Sequence, residues 1–185
     1  LGSGVTLSNS IVFGGNGGRL SGHGTFASNV VVGANTVVSP GSSVGSLTFT
    51  SGLTLAGGGA YDFEIQNATS GPGAGWDFVQ VNGPLTFTAT PASPFTLNLI
   101  SLNSGGSSGN PANFSGNNAY SWSIASATSF IGFNSTAITL STSGFTAPLN
   151  GGAFSLTTSG TNLLLNFTPV PEPSTWILFL AGTGL

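Results

Sequence analysis

Only five side chains in this sequence carry a formal charge: Arg19, Asp62, Glu64, Asp77 and Glu172. His23 is the sole histidine. Any ionic, acid–base or metal chemistry must be built from these six groups. Asp62 and Glu64 stand two apart in the run Tyr61-Asp62-Phe63-Glu64-Ile65. In a strand, that spacing turns both carboxylates outward and the three apolar side chains inward. Asp77 opens the next group of strands and could stack beside them. Three hard oxygen donors suit Ca²⁺, so Asp62, Glu64 and Asp77 are the metal candidates and Ca²⁺ the only cofactor to consider. Two carboxylates could also serve glycoside hydrolysis. The plainer reading is solvated or structural acids. Arg19 alone is too little positive charge to receive an acidic sugar. His23 has no second His and no Cys with which to build a zinc site.

Other patterns are weaker chemistry. Gly41-Ser42-Ser43-Val44-Gly45 and Gly105-Gly106-Ser107-Ser108-Gly109 match the spacing of a nucleophile elbow, which needs a strand before it and a helix after. Here a strand follows the first and a loop surrounds the second. Gly22-His23-Gly24-Thr25-Phe26-Ala27 loosely matches a dinucleotide fingerprint, but no helical pattern follows to receive a pyrophosphate. Trp76, Tyr120 and Trp122 could stack on sugar rings or sit in a core. Asn67, Asn113, Asn134 and Asn166 each begin an Asn-X-Ser/Thr triplet, as expected by composition in so Asn- and Thr-rich a chain. No catalytic set emerges, and an enzyme is not expected.

The elements that must position these residues are strands. Hydrophobic residues make up 39% of the chain, with 14 Phe and 3 Trp, which is too much apolar material for disorder. There is no Cys, which excludes disulfides and thiolate sites. With one Arg and no Lys, nucleic acid is excluded as a partner. Short alternating runs recur between Gly, Asn and Pro turns, among them Val30-Val31-Val32, Leu53-Thr54-Leu55, Val79-Gln80-Val81 and Leu85-Thr86-Phe87. Ile11-Val12-Phe13 precedes the Val30 triplet by 19 positions (11 to 30). That triplet precedes Leu53 by 23 (30 to 53), and Leu85 follows 32 further on (53 to 85). An apparent insertion around Asn67 to Gly75 lengthens the last interval.

A period of roughly 20–25 residues with three short strands each predicts an all-β fold, a right-handed parallel β-helix or solenoid. Turns of this coil fill residues 1–103. Residues 104–118, rich in Gly, Ser and Asn, form a loop or hinge. Residues 119–168 form a C-terminal β cap or small β extension, since a solenoid end needs cover against edge pairing. Residues 169–185 form a Pro-rich linker and a short helix.

Pro169, Pro171 and Pro173 hold that linker extended. Ser174 or Thr175 can cap a helix starting at Trp176. Ten residues of helix rise about 15 Å, half of a ~30 Å hydrocarbon core. We therefore expect the chain to be a fragment that breaks off inside a membrane segment. A buried terminal strand is the alternative. Val170-Pro171-Glu172-Pro173-Ser174-Thr175, with the apolar run behind it, resembles the PEP-CTERM sorting signal of Gram-negative bacteria. The family's basic tail has no counterpart here. The resemblance implies export, recognition of Pro171, Glu172 and Pro173 by an exosortase-type membrane protease, membrane attachment through the helix before processing, and a setting of exopolysaccharide and biofilm.

A second resemblance covers residues 17–100. The series Gly22-His23-Gly24-Thr25-Phe26, Val37-Val38-Ser39-Pro40-Gly41-Ser42-Ser43-Val44-Gly45-Ser46-Leu47 and Trp76-Asp77-Phe78-Val79-Gln80-Val81-Asn82-Gly83 is similar to the autotransporter-associated β-strand repeat. It implies a passenger-like surface stalk and no activity. The expected function is an exported structural or adhesive protein of the cell surface or extracellular matrix, with exopolysaccharide as a partner. The rivals are a carbohydrate-binding module and a polysaccharide-degrading β-helix.

Overall fold

The computed structural model describes residues 1–9, 11, 13 and 16–171. They fold into sixteen strands. In chain order these are β1 (Thr6–Leu7), β2 (Gly18–Gly22), β3 (Thr25–Phe26), β4 (Val30–Val32), β5 (Thr36–Pro40), β6 (Ser46–Phe49), β7 (Leu53–Leu55) and β8 (Ala60–Ile65), followed by β9 (Phe78–Val81), β10 (Pro84–Phe87), β11 (Phe95–Ser101), β12 (Tyr120–Ser126), β13 (Ser129–Ile131), β14 (Ile138–Gly144), β15 (Ala153–Ser159) and β16 (Asn162–Thr168). A single 3₁₀ turn, Ser135–Ala137, is the only helical segment among the described residues. The protein is all-β, as the alternating runs predict.

The strands are dealt out in rotation to three sheets. The first sheet runs β1-β3-β6-β9-β12-β16-β15, the second β13-β10-β7-β4 and the third β14-β11-β8-β5-β2. Every pairing is parallel except those of β16 with β12 and with β15. From β2 to β14, each strand thus pairs with the strand three places along the chain, because the chain visits all three sheets before returning to the first. The expected spacings reappear as register: Val30 pairs with Leu53, and Leu53 with Leu85. The same column continues from Leu85 to Phe130, an interval of 45 (85 to 130). Of the Ile11-Val12-Phe13 triplet, Val12 lies outside the described residues. Ile11 and Phe13 belong to no strand and pack against the core.

Alternation sets what is inside. In β8, Tyr61, Phe63 and Ile65 are buried while Ala60, Asp62 and Glu64 are not. In β11, Phe95, Leu97, Leu99 and Ser101 point inward. Because registers are parallel, like side chains stack in columns, and the Phe26 and Phe49 rings lie stacked 5.0 Å apart with their planes 15° from parallel. One continuous core joins all three sheets. Each fully buried Leu or Phe contributes roughly 1.5–3 kcal/mol.

Residues 104–118 are turns and loop, joined to the stack around Ala112. Ala112 pairs in parallel with Asn67, and backbone bonds join Ala68 to Ala112 and Ala112 to Gln66 at 2.8 Å each. The excursion in one round of the chain is laid upon the excursion in the round before. The strands beyond it, β12, β13 and β14, pair with β9, β10 and β11. The β15–β16 hairpin then continues the first sheet in antiparallel sense. An aromatic cluster of Phe114, Tyr120, Trp122, Phe145, Phe154 and Phe167 fills the core at this end.

Trp76 and Trp122 are core residues rather than sugar platforms. Trp122 is 1% exposed and donates its Nε1–H to the Ala68 carbonyl at 3.0 Å; Trp76 donates to the Ser123 carbonyl at 2.9 Å. Tyr120 stacks on Trp122, and its hydroxyl donates to the Asn113 carbonyl at 2.9 Å. The linker begins at once after β16, where Val170 is exposed. The proposed helix from Trp176, and Glu172, Pro173, Ser174 and Thr175 before it, lie outside the described residues. No helix among the described residues is long and apolar enough to cross a membrane.

Candidate functional site

The outer face of the third sheet gathers most of the charge in the protein. Arg19 and Ser21 project from β2, Ser39 from β5, Asp62 and Glu64 from β8, and Asn98 from β11. Parallel register places Ser21 beside Ser39 and Asp62 beside Asn98. Arg19 reaches across β5. Its Nη1 donates to Asp62 Oδ2 at 2.7 Å and its Nη2 to Ser39 Oγ at 2.7 Å. Asn98 Nδ2 donates to the other Asp62 oxygen at 2.7 Å. Both Asp62 oxygens are engaged, and one ionic chain ties four neighbouring strands.

Asp77 is fully buried and separate from this surface. It precedes β9 at a corner, where its Oδ1 accepts the Gly45 N–H at 2.8 Å and its Oδ2 the Glu64 N–H at 3.0 Å. It fastens the β5–β6 corner of one round to β8 of the next. Burial pushes its pKa up to about 9; the two amide donors pull it down, and the Glu64 and Asp62 charges add to the rise. Burial also raises Glu64, with Arg19 opposing and Asp62 reinforcing. The Tyr61 hydroxyl, bonded to the Ile124 carbonyl at 3.3 Å, is raised by burial and then by Asp77.

The three acids therefore do not form the Ca²⁺ site that their sequence positions suggested. Asp62 is held by Arg19 and Asn98, and Asp77 by two backbone amides beneath the surface. Among the described residues, no group of three His, Cys, Asp or Glu is arranged to hold a metal. The elbow-like Gly41–Gly45 segment turns through Gly41 (φ 79°) into β6, with no helix behind it. Gly22–Ala27 runs into β3. Asn67 and Asn134 spend their side-chain oxygens on local turns, each accepting from the backbone N–H and hydroxyl of the Thr two residues on.

At the carboxyl ends of β2, β5 and β8 the face opens into a groove of about 440 Å³. Leu1, Arg19, Ser21, His23, Ser39, Ser42 and Glu64 line it, and the Leu1 ammonium donates to the Ser21 carbonyl at 2.6 Å. His23 is exposed, and its ring packs against Gly45, where a Cβ would lie 2.5 Å from His23 Cε1. Arg19 and Asn98 are not legible as a site in the sequence, because their partners lie 20 to 43 positions away. The readable signal was the outward parity of Asp62 and Glu64 combined with the column spacing.

The fold and this groove define an all-β protein of three sheets, two parallel and one parallel with an antiparallel hairpin at its edge, with a polar cleft on one of them. No family model, curated protein or solved structure matches the chain.

Proposed function

We propose that the chain is a right-handed parallel β-helix acting as a structural or adhesive stalk at the surface of a Gram-negative bacterium. The coil is supported by the rotation of the strands among three sheets and by registers that repeat once per round. Its hand follows from the strong preference of parallel crossovers. Export rests on Val170-Pro171-Glu172-Pro173-Ser174-Thr175 and the apolar residues behind it. That motif is the single observation that carries the reading. It begins two residues after the last strand ends at Thr168, where Val170 is exposed and within reach of a processing enzyme.

On this reading an exosortase-type membrane protease recognises Pro171, Glu172 and Pro173. The helix from Trp176 holds the protein in the membrane until cleavage, and the mature stalk joins the exopolysaccharide matrix. A non-catalytic role is supported by the engagement of both Asp62 oxygens and by the burial of Asp77. The test is the C-terminal mass of the full-length gene product from cells with and without the exosortase. A shorter, tail-less species only where the protease is present is expected. An identical unprocessed C-terminus in both strains refutes sorting.

A further inference from the structure

We propose that the outer edge of β15 is a homodimer interface, along which a second copy of this chain lays its own β15 antiparallel and joins two first sheets into one. It stands on residues 153–168 and is independent of the sorting signal, whose test reads a C-terminal mass instead. Three observations carry it.

The first is which backbone groups the edge presents. β15 pairs with β16 over its whole length, from Ala153 with Thr168 to Ser159 with Asn162, without a break in register. At the turn between them the Thr161 carbonyl accepts the Ala127 N–H at 2.9 Å. Odd-numbered residues of β16 therefore turn their backbone groups toward β12, and even-numbered ones toward β15. Across the hairpin this makes Ala153, Ser155, Thr157 and Ser159 the bonded rungs. Phe154, Leu156 and Thr158 point N–H and C=O away from β16, to a side where no strand among the described residues pairs with them.

The second is that nothing guards this edge. Natural edges are blunted by shortness, bulges, prolines or charges. At this end of the stack β13 has three residues, and β14 carries an extra residue where its register with β11 shifts. β15 has seven residues, with neither Pro nor charge, and no such shift. No residue from 78 to 171 is charged. A second copy thus meets no repulsion, and an acidic or basic partner finds nothing to hold.

The third is self-complementarity. A two-fold axis through Leu156 sets Leu156 opposite its own copy and Phe154 opposite Thr158 of the second copy. The outward residues of the two strands then exchange about six backbone hydrogen bonds. Phe154, only partly buried in one chain, gains a neighbour on its open side. On the solvent face Ser155 meets Thr157 of the second copy and Ala153 meets Ser159, all small and uncharged. The same seven residues supply both strands, as a two-fold interface requires.

The chain has no cysteine, so single introduced thiols report the register. In this ladder Ser155 and Thr157 of the second copy form a non-hydrogen-bonded pair. Their Cα atoms lie about 4.5 Å apart, a span that a disulfide bridges. Like positions lie on the diagonal, roughly 7–8 Å apart and beyond its reach. Full-length Ser155→Cys protein labelled with ¹⁵N is mixed with unlabelled Thr157→Cys protein in a glutathione buffer, and the dimers are resolved by mass. The mixed dimer is expected to exceed each like dimer at least about tenfold, against about twofold for random collision. Thr158→Pro in both proteins removes an outward N–H without touching the β16 ladder, and should cut the mixed dimer roughly tenfold. Matching urea midpoints show that the variants fold, and the two thiol variants decide the register even without the proline. The proposal is overturned if mixed and like dimers form in the random ratio or if Thr158→Pro leaves the yield unchanged. It is equally overturned if no disulfide forms, as when the chain's own tail or another protein covers the edge.

Discussion

Asp77→Asn isolates the buried acid while keeping its shape. In the native state the carboxyl is held protonated to about pH 9, whereas an unfolded Asp releases its proton near its ordinary value of 3.8. Between those two values the folded protein binds one proton more than the unfolded chain. Stability must therefore fall as pH rises through that window, with a limiting slope of ~1.4 kcal/mol per pH unit. From pH 5 to pH 8 the loss amounts to ~4 kcal/mol, a large share of the 5–15 kcal/mol that a domain commonly has. The contribution is complete below about pH 4 and gone above about pH 9. Asn cannot titrate, so the variant loses this slope. Its carboxamide offers one acceptor to two amide donors, Gly45 N–H and Glu64 N–H, and leaves one of them facing an NH₂ group. That costs roughly 1–3 kcal/mol at every pH. The variant should be the less stable protein at pH 4.5 and the more stable one at pH 8.5, the curves crossing between. Urea unfolding followed by the fluorescence of buried Trp76 and Trp122, at constant ionic strength, measures both. A wild-type stability that rises from pH 5 to 8, or two curves that run parallel, would mean that Asp77 is a native-state carboxylate, and the reasoning would fail.

Other substitutions probe packing and the surface chain. Phe49→Ala, which removes a fully buried ring stacked on Phe26, should cost about 3–5 kcal/mol by chemical denaturation; Val31→Ala, half exposed, should stay within about 0.5 kcal/mol. Trp122→Phe keeps most of the ring stack but orphans the Ala68 carbonyl, and a loss of roughly 1–3 kcal/mol is expected. Arg19→Ala should cost no more than about 1 kcal/mol, because the guanidinium is half exposed, and the loss should shrink in high salt. A deficit of several kcal/mol that ignored salt would contradict that assignment.

The columns of the fold were legible because parallel stacking repeats a short apolar triplet at the interval of one round. Val30, Leu53 and Leu85 recur at that interval, and the structure pairs them. The reading weakened beyond residue 103 because the interval grows to 45 at Phe130, where the excursion of residues 104–118 hides the period. Alternation placed Asp62 and Glu64 correctly on the outer face. It could not reveal that Asp77, at a corner where alternation breaks, turns inward to bind two amides. Nor could it reveal that Arg19 reaches past a strand to Asp62, since that meeting depends on the registers of β2, β5 and β8 together. Trp122 was ambiguous for a similar reason: an alternating run fixes two faces without saying which one meets the core.

The excursions that interrupt the columns set a rule for remodelling. Between Gly18 and Thr36 one round takes 18 positions, yet between Phe95 and Ile138 it takes 43, and the rungs still meet in register. All of the added length but one residue, taken up by a bulge between Asn98 and Ile100 of β11 and β14, is stored at corners, and the loop closure it demands grows only slowly with size. At Gly71, on the tip of the Asn67 excursion, nothing stands within 4 Å of where a Cβ would lie, while its φ of 145° requires that the glycine itself be kept. A foreign peptide grafted beside that glycine would hang from the stacked sheets as cargo on a rack. The ladder on either side would not need to be redesigned to carry it.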